Sequence, residues 1–143
     1  MGFIVLINSD KEIKNKIEAA FRRARCFNFP MVMMANEKRI LESLNFDLPE
    51  IVILNFGDPG VSYKSMMEQV RKDSWLHSFG IIGLYDGSVQ NEHDLMEEMK
   101  DLNVLVMLDY SRIDSHIVKS VKIIAENWQL IYQKELSSHF MEH

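Results

Sequence analysis

Five short apolar segments alternate along the chain with stretches of helical spacing, and this alternation constrains the fold more than any other feature. Each segment is nearly continuous in Ile, Val, Leu and Met, a composition typical of strands buried on both faces of a parallel sheet. Each is also bounded by residues that favour turns or helix caps. The sequence therefore predicts five strands, at residues 3–7, 27–34, 51–56, 80–84 and 104–107.

The stretches between these strands have apolar residues three and four positions apart, as one face of a helix requires. At the start of the first stretch, Ser9 and Glu12 have the spacing of a capping box, which predicts Ser9 as the N-cap. The predicted helices cover residues 11–25, 36–44, 62–72, 91–102 and a last stretch from residue 111 almost to the C-terminus.

Strands that alternate with helices in this way predict an α/β protein. We expect a doubly wound (βα)5 fold, in which right-handed crossovers place helices on both faces of a five-stranded parallel sheet. For five strands the flavodoxin-like order 2-1-3-4-5 is expected, with the functional crevice at the carboxyl ends of strands one and three. The loops that follow these two strands are therefore the place to look for functional residues.

Length, charge and cysteine content exclude several classes of function. The 143 residues suit one domain, and the formal net charge of -5 argues against binding to nucleic acid, which requires clustered Lys and Arg. The apolar segments are far shorter than the roughly 20 residues that cross a bilayer, and the N-terminus lacks a signal-peptide pattern. The single cysteine, Cys26, cannot form an intramolecular disulfide, which suits a reducing compartment. We therefore expect a cytoplasmic protein without membrane insertion.

Residues 51–60, Ile-Val-Ile-Leu-Asn-Phe-Gly-Asp-Pro-Gly, resemble the third strand and following loop of response-regulator receiver domains. In that family a proline stands four residues after the phosphoacceptor aspartate, as Pro59 does after Asn55. Residues 3–10 are similar to the first strand and its acidic pair, and residues 81–84 to the fourth strand. The resemblance extends over nearly the whole chain. It implies the receiver fold, a role in two-component signal transduction and a signalling protein as partner.

Every position of the family's phosphorylation machinery is changed in this chain. The changes affect the nucleophile, the metal ligands, the short hydroxyl residue and the lysine. By the resemblance, the changed positions are Asn55 for the phosphoacceptor aspartate, Asn8 and Ser9 for the magnesium-binding acidic pair, Tyr85 for the Thr or Ser, and Leu108-Asp109 or Asp109-Tyr110 for the Lys-Pro pair.

These changes remove the chemistry step by step. The amide of Asn55 is a poor nucleophile and cannot form an acyl phosphate, as a carboxylate can. Asn8 and Ser9 offer magnesium only neutral oxygens, and no lysine follows strand five to neutralise a phosphoryl group. We therefore expect an atypical receiver, neither an enzyme nor dependent on a cofactor, that acts by phosphorylation-independent protein–protein interaction.

Three alternatives remain open at this crevice. Asn8 and Asn55 would either hydrogen-bond neighbouring loops or, with the phenol of Tyr85, bind a small polar ligand in the vacated pocket. Asp10 and Asp58 are weak candidates for a cation site, although Asp at strand ends more often caps a helix or turn. An enzyme is the least favoured interpretation, because no nucleophile–base pair is visible.

The last predicted helix is about twice as long as the roughly 14–15 residues that a receiver needs to cover one side of its sheet. Its apolar stripe continues past the expected edge of the domain, and soluble monomers usually avoid such exposed patches. The stripe predicts that two copies pair along this helix, or that it leads into an output region. The alternatives are that the tail folds back onto its own domain or frays. The stripe comprises Ile117, Val121, Ile124, Trp128 and Ile131, of which the last three are the predicted interface.

The expected edge of the domain along this helix also predicts a boundary in the chain. We predict a receiver-like domain at residues 1–126 and a helical C-terminal extension at residues 127–143.

Overall fold

The computed structural model describes residues 4–35, 51–61, 80–100 and 103–141, and for residues 128–141 it describes the backbone only. The helices predicted at residues 36–44 and 62–72 lie outside the described residues. The described elements are β1 (Ile4–Ile7), α1 (Lys11–Arg23), β2 (Met31–Met34), β3 (Ile51–Asn55), β4 (Gly80–Tyr85), α2 (Glu92–Glu98), β5 (Val104–Asp109), a short 3-10 helix (Tyr110–Arg112) and α3 (Ile113–Met141).

The five strands form one all-parallel sheet in the order β2-β1-β3-β4-β5, which confirms the predicted flavodoxin-like fold. Ile7, the last residue of β1, pairs with Leu54 of β3. Asn8 and Asn55, the residues that follow this pair, therefore lie at the same edge of the sheet. The strand order thus brings the first and third loops together, as this topology requires.

Apolar clusters cover both faces of the sheet, because alternate residues of a strand point to opposite sides. One cluster joins Leu6 of β1 to Ile17 of α1 and Ile117 of α3. The other joins Val5 of β1 to Leu95 of α2. Described helices therefore pack on both faces, as a doubly wound fold requires.

The strands differ in burial. Every residue of β1 and β3 is buried, but Val32 in β2 is 44% exposed and Leu105 in β5 is 51% exposed. These two strands form the edges of the sheet and have a neighbour on one side only. The expectation of burial on both faces is therefore wrong for β2 and β5.

The N-cap of α1 is Asp10, and the prediction of Ser9 as the cap is wrong. Asp10 Oδ1 accepts a hydrogen bond from the backbone N–H of Glu12 at 2.9 Å and a longer one from that of Ile13 at 3.5 Å. The Ser9 hydroxyl is bound to Asp58 instead. A capping pattern is local, and a partner 49 residues away overrides it.

At its C-terminus, α1 ends at Arg23, two residues before the predicted limit, in a Schellman motif. The backbone N–H of Cys26 donates to the carbonyl of Phe21 and that of Arg25 to the carbonyl of Arg22, both at 3.0 Å. Arg25 has a φ of 51° and is the only non-glycine with positive φ in the described part of the chain. The chain leaves this turn before β2 begins at Met31, four residues later than predicted.

The helix before β5 is also shorter than predicted. α2 ends at Glu98, and its N-cap, Asn91, accepts a hydrogen bond from the backbone N–H of Asp94 at 3.2 Å.

The last helix, α3, is continuous over 29 residues and is therefore about 43 Å long. Ile124 is only 3% exposed and belongs to the core cluster of its own domain, so its assignment to an interface is wrong. The side chains of Trp128 and Ile131 lie outside the description. The predicted boundary between residues 126 and 127 falls inside this helix, and the division into two parts stays a prediction. None of the described helices is long and apolar enough to cross a membrane.

Candidate functional site

The side chains of Asn8 and Asn55 are hydrogen-bonded to each other at the carboxyl edge of the sheet. Asn55 Nδ2 donates to Asn8 Oδ1 at 2.8 Å, and both residues are fully buried. Asn8 Nδ2 donates to the backbone carbonyl of Asp10 at 2.6 Å and lies 3.6 Å from the sulfur of Met33. The sequence left two roles open for these asparagines, hydrogen bonds to neighbouring loops or contacts to a small ligand. In the structure both asparagines are hydrogen-bonded to other protein groups.

Tyr110 completes this arrangement and was missed by the sequence reasoning. Its hydroxyl donates to Asn55 Oδ1 at 2.7 Å, and the backbone N–H of Gly57 donates to the same oxygen at 3.1 Å. Gly57 has no Cβ, and one added there would collide with the Tyr110 hydroxyl. The sequence offered one signal for this role. Tyr110 lies in the loop after β5, and it belongs to one of the two residue pairs that can be aligned with the family's Lys-Pro pair.

The Tyr110 phenol stays protonated at neutral pH and so remains a donor. Burial raises its pKa, and the negative charges of Asp58 and Asp10 raise it further. The net effect is a pKa above the ordinary value. A phenolic hydroxyl therefore fills the space beside the Asn55 amide.

Tyr85 does not join this group. Its hydroxyl donates to Glu92 Oε2 at 3.3 Å, and burial together with the Glu92 charge raises its pKa. The amide groups of Asn8 and Asn55 are buried and already bonded to protein groups. Among the described residues, the Tyr85 hydroxyl is therefore bonded away from the two amides, and a ligand pocket between the three stays a prediction.

A second contact joins the same two loops through Ser9 and Asp58. The Ser9 hydroxyl lies 2.7 and 2.8 Å from the two Asp58 carboxylate oxygens, and the backbone N–H groups of Ser9 and Gly60 also donate to them. Burial alone would raise the Asp58 pKa, but these hydrogen bonds hold it below its ordinary value. Ser9 thus binds a protein carboxylate.

The two carboxylates considered as cation ligands, those of Asp10 and Asp58, are hydrogen-bonded to protein groups. Asp10 caps α1, and Asp58 accepts from Ser9 and Gly60. Across the described ranges, no three Asp, Glu, His or Cys side chains group together as metal ligands would.

The fifth-strand positions are structural. Leu108 is buried in the core. Asp109 caps the 3-10 helix through Ser111 and accepts from the backbone N–H of Gly87 at 2.7 Å, which joins the loops after β4 and β5. The bond from the Ser111 hydroxyl, followed by that from Gly87, lowers the Asp109 pKa. The only lysine described as bonded to this loop is Lys16 of α1, which donates to the carbonyl of Tyr110 at 3.3 Å.

No protein-family model and no curated protein matches the sequence. Solved structures do match the fold. A two-component response regulator from Legionella pneumophila superposes with a TM-score of 0.72 at 14% identity, over 88% of this chain and 99% of that one. The signal receiver domain of an HD-domain protein from Pseudomonas fluorescens Pf-5 gives 0.72 at 13% identity, over 92% of each chain.

A third similar structure is the receiver domain of the Francisella response regulator 1452, with a TM-score of 0.67 at 17% identity, over 89% of this chain and 98% of that one. At these levels of sequence identity, the structural similarity establishes the fold of the chain. The chain has the response-regulator receiver fold.

Proposed function

We propose that this chain is an atypical receiver in two-component-type signal transduction, which acts through phosphorylation-independent protein–protein contacts and performs no catalysis. The observation that carries the proposal is the closed group of Asn8, Asn55 and Tyr110. A working receiver site needs a carboxylate nucleophile, anionic metal ligands and space for a phosphoryl group. In this chain the amides of Asn8 and Asn55 and the phenol of Tyr110 stand there instead, and they are hydrogen-bonded to one another.

The Ser9–Asp58 contact supports the same conclusion. A magnesium ion at this edge would need oxygens free to coordinate it, and the Asp58 oxygens instead accept hydrogen bonds from Ser9 and Gly60. Removing these donors to admit a cation would break several charge-assisted hydrogen bonds at once. The loops are therefore suited to holding one conformation.

The proposal includes self-association through α3 and a reducing compartment. About 16 residues of α3 follow Ala125, the last core residue among those whose side chains are described, and the sequence places Trp128 and Ile131 in that part. Cys26 is a buried free thiol, as a cytoplasmic protein would have.

Incubation with acetyl phosphate and magnesium, followed by intact-mass analysis, tests the proposal. We expect no phosphate adduct on the natural chain, and none on Asn55→Asp, since the metal ligands and the lysine would still be missing. A receiver with an intact acceptor site, treated in parallel, verifies the phosphodonor. A stoichiometric adduct on a residue of the crevice in the natural chain would refute the proposal, and one on Asn55→Asp would refute the stronger form.

A further inference from the structure

A groove of about 540 Å³ lies between α1 and α3, and it shares no lining residue with the group of Asn8, Asn55 and Tyr110. Its apolar lining comes from Ala20 and Ala24 of α1 and from Val118 and Ile123 of α3. The two alanines are too short to fill the space between the helices. Ile123 is 47% exposed, although it lies next to core residues. The groove is therefore open to an apolar side chain of another molecule.

The charged lining has a definite order along α3. At one end Asp114 is paired with Arg23 of α1 at 3.4 Å, and at the other end stands Glu126. These two residues are about 18 Å apart along the helix axis, at 1.5 Å per residue. Lys119 and Lys122 lie between them, and both are exposed. Among the described residues, neither lysine has an ion-pair partner.

We propose that this groove is a docking site for an acidic amphipathic helix of a partner protein. About three turns of such a helix match the distance from Asp114 to Glu126. Its apolar residues would cover Ala24, Val118 and Ile123, and carboxylates three or four residues apart would face the two lysines. The inference rests on the proposed function, because it names the surface and the partner chemistry of that contact-based signalling.

Other occupants fit less well. A phosphate backbone or an anionic membrane would meet Asp114 and Glu126 at both ends of the groove. The acidic helix of a second copy, α2, has only seven residues, and its apolar Leu95 is buried against its own sheet. A partner helix that carries apolar and acidic groups on one face satisfies the lining and the lysines together.

Fluorescence polarisation tests the proposal with a designed, labelled helical peptide of about 14 residues, carrying Leu at helical spacing flanked by Glu. A charge-swapped peptide with Lys in place of Glu is the matched probe. We expect the full chain to bind the acidic peptide, less tightly as salt is raised. The double variant Lys119→Glu/Lys122→Glu should weaken this binding about tenfold. The same variant should gain binding of the charge-swapped peptide, which a misfolded protein would not show.

The matched control is Lys11→Glu/Lys100→Glu, which changes the net charge equally at exposed positions outside the groove and should leave binding unchanged. Ile123→Ser should also weaken binding, whereas Val89→Ser, at a position 79% exposed elsewhere, should not. The proposal is overturned if the acidic peptide fails to bind, if both peptides bind equally, or if the groove variants bind as the controls do. If the groove variants change the mass of the protein in solution, the groove is an interface with a second copy of this chain. That result would overturn the proposed partner helix. The acetyl phosphate result is independent of this experiment, so either idea can fail alone.

Discussion

At the scale of single residues, the buried amides of Asn8 and Asn55 are held by hydrogen bonds to other protein groups. Asn55 donates to Asn8 and accepts from Gly57 and Tyr110, and in the described structure every buried side-chain nitrogen and oxygen has a partner. A buried polar group left without its partner costs about 1–3 kcal/mol, more than a typical hydrogen bond contributes. The crevice is therefore stable as a set and sensitive to single changes.

Tyr110→Phe should lower the free energy of unfolding by about 1 kcal/mol, because Asn55 Oδ1 loses one of its two donors. Urea denaturation measures the change. Tyr85→Phe is the matched control, since its hydroxyl makes one longer, exposed bond to Glu92, and we expect less than about 0.5 kcal/mol there. Equal effects of the two substitutions would contradict the role assigned to Tyr110.

The Ser9–Asp58 contact should make stability depend on acid. The folded-state pKa of Asp58 is lowered, so its contribution is fully present above the unfolded pKa of about 3.9 and is lost as pH falls through the lower folded value. Ser9→Ala removes the hydroxyl donor, and we expect its destabilisation to be largest near neutral pH and to shrink as Asp58 becomes protonated. Denaturation at several pH values measures this.

Asp58→Asn serves as the control, because it removes the titrating group. A stability difference between Ser9→Ala and the natural chain that stays constant down to the most acidic pH would contradict the assignment.

At the scale of elements, the ends of the helices depend on contacts that a local pattern does not contain. The turn after α1 places Arg25 in the left-handed region, where a side chain costs about 1 kcal/mol and glycine costs little. The motif is held by its backbone bonds and by Cys26, which is buried at the start of the next segment.

Arg25→Gly should therefore raise the free energy of unfolding by about 0.5–1 kcal/mol, because glycine adopts this conformation without strain. Thermal or urea unfolding measures the gain. Ala24→Gly is the control, since Ala24 has a φ of −81°, which a side chain adopts without strain, and glycine there should destabilise. A loss of stability in Arg25→Gly would argue that its side chain makes a contact that outweighs the strain.

The strand order and the meeting of Asn8 with Asn55 could be predicted from the sequence, since both follow from apolar segments and parallel topology. The cap at Asp10 and the role of Tyr110 could not. Ser9 satisfies a capping pattern as well as Asp10 does, and only the position of Asp58, 49 residues later, decides between them. Tyr110 lies 55 residues from Asn55, and its rotamer depends on the missing side chain of Gly57. The position of Ile124 was misjudged because a helical stripe does not indicate where the core ends.

At the scale of the whole molecule, α3 is the longest of the described elements, at 29 residues. Trp128→Ala or Ile131→Asp should shift a homodimer at micromolar concentration toward monomer, as light scattering would measure, with the fold intact. Ile124→Ala is the contrasting variant. Since Ile124 is core, it should lower the free energy of unfolding by about 2–4 kcal/mol. A chain that stays monomeric at high concentration would contradict pairing along this helix.

The mutual satisfaction of Asn8, Asn55 and Tyr110 also affects how such a chain can evolve. A route to phosphotransfer would require a nucleophile, metal ligands and a cation, and each would have to appear by mutation in a population. Introducing the carboxylate first sets its oxygen against the oxygen of Asn8, and removing the phenol first leaves an acceptor with one donor fewer. Each intermediate would be less stable by about 1 kcal/mol or more, in a protein whose total stability is about 5–15 kcal/mol. Selection would tend to remove such intermediates before the next mutation arises. The hydrogen bonds that hold this crevice together would therefore also hinder the stepwise evolution of phosphotransfer.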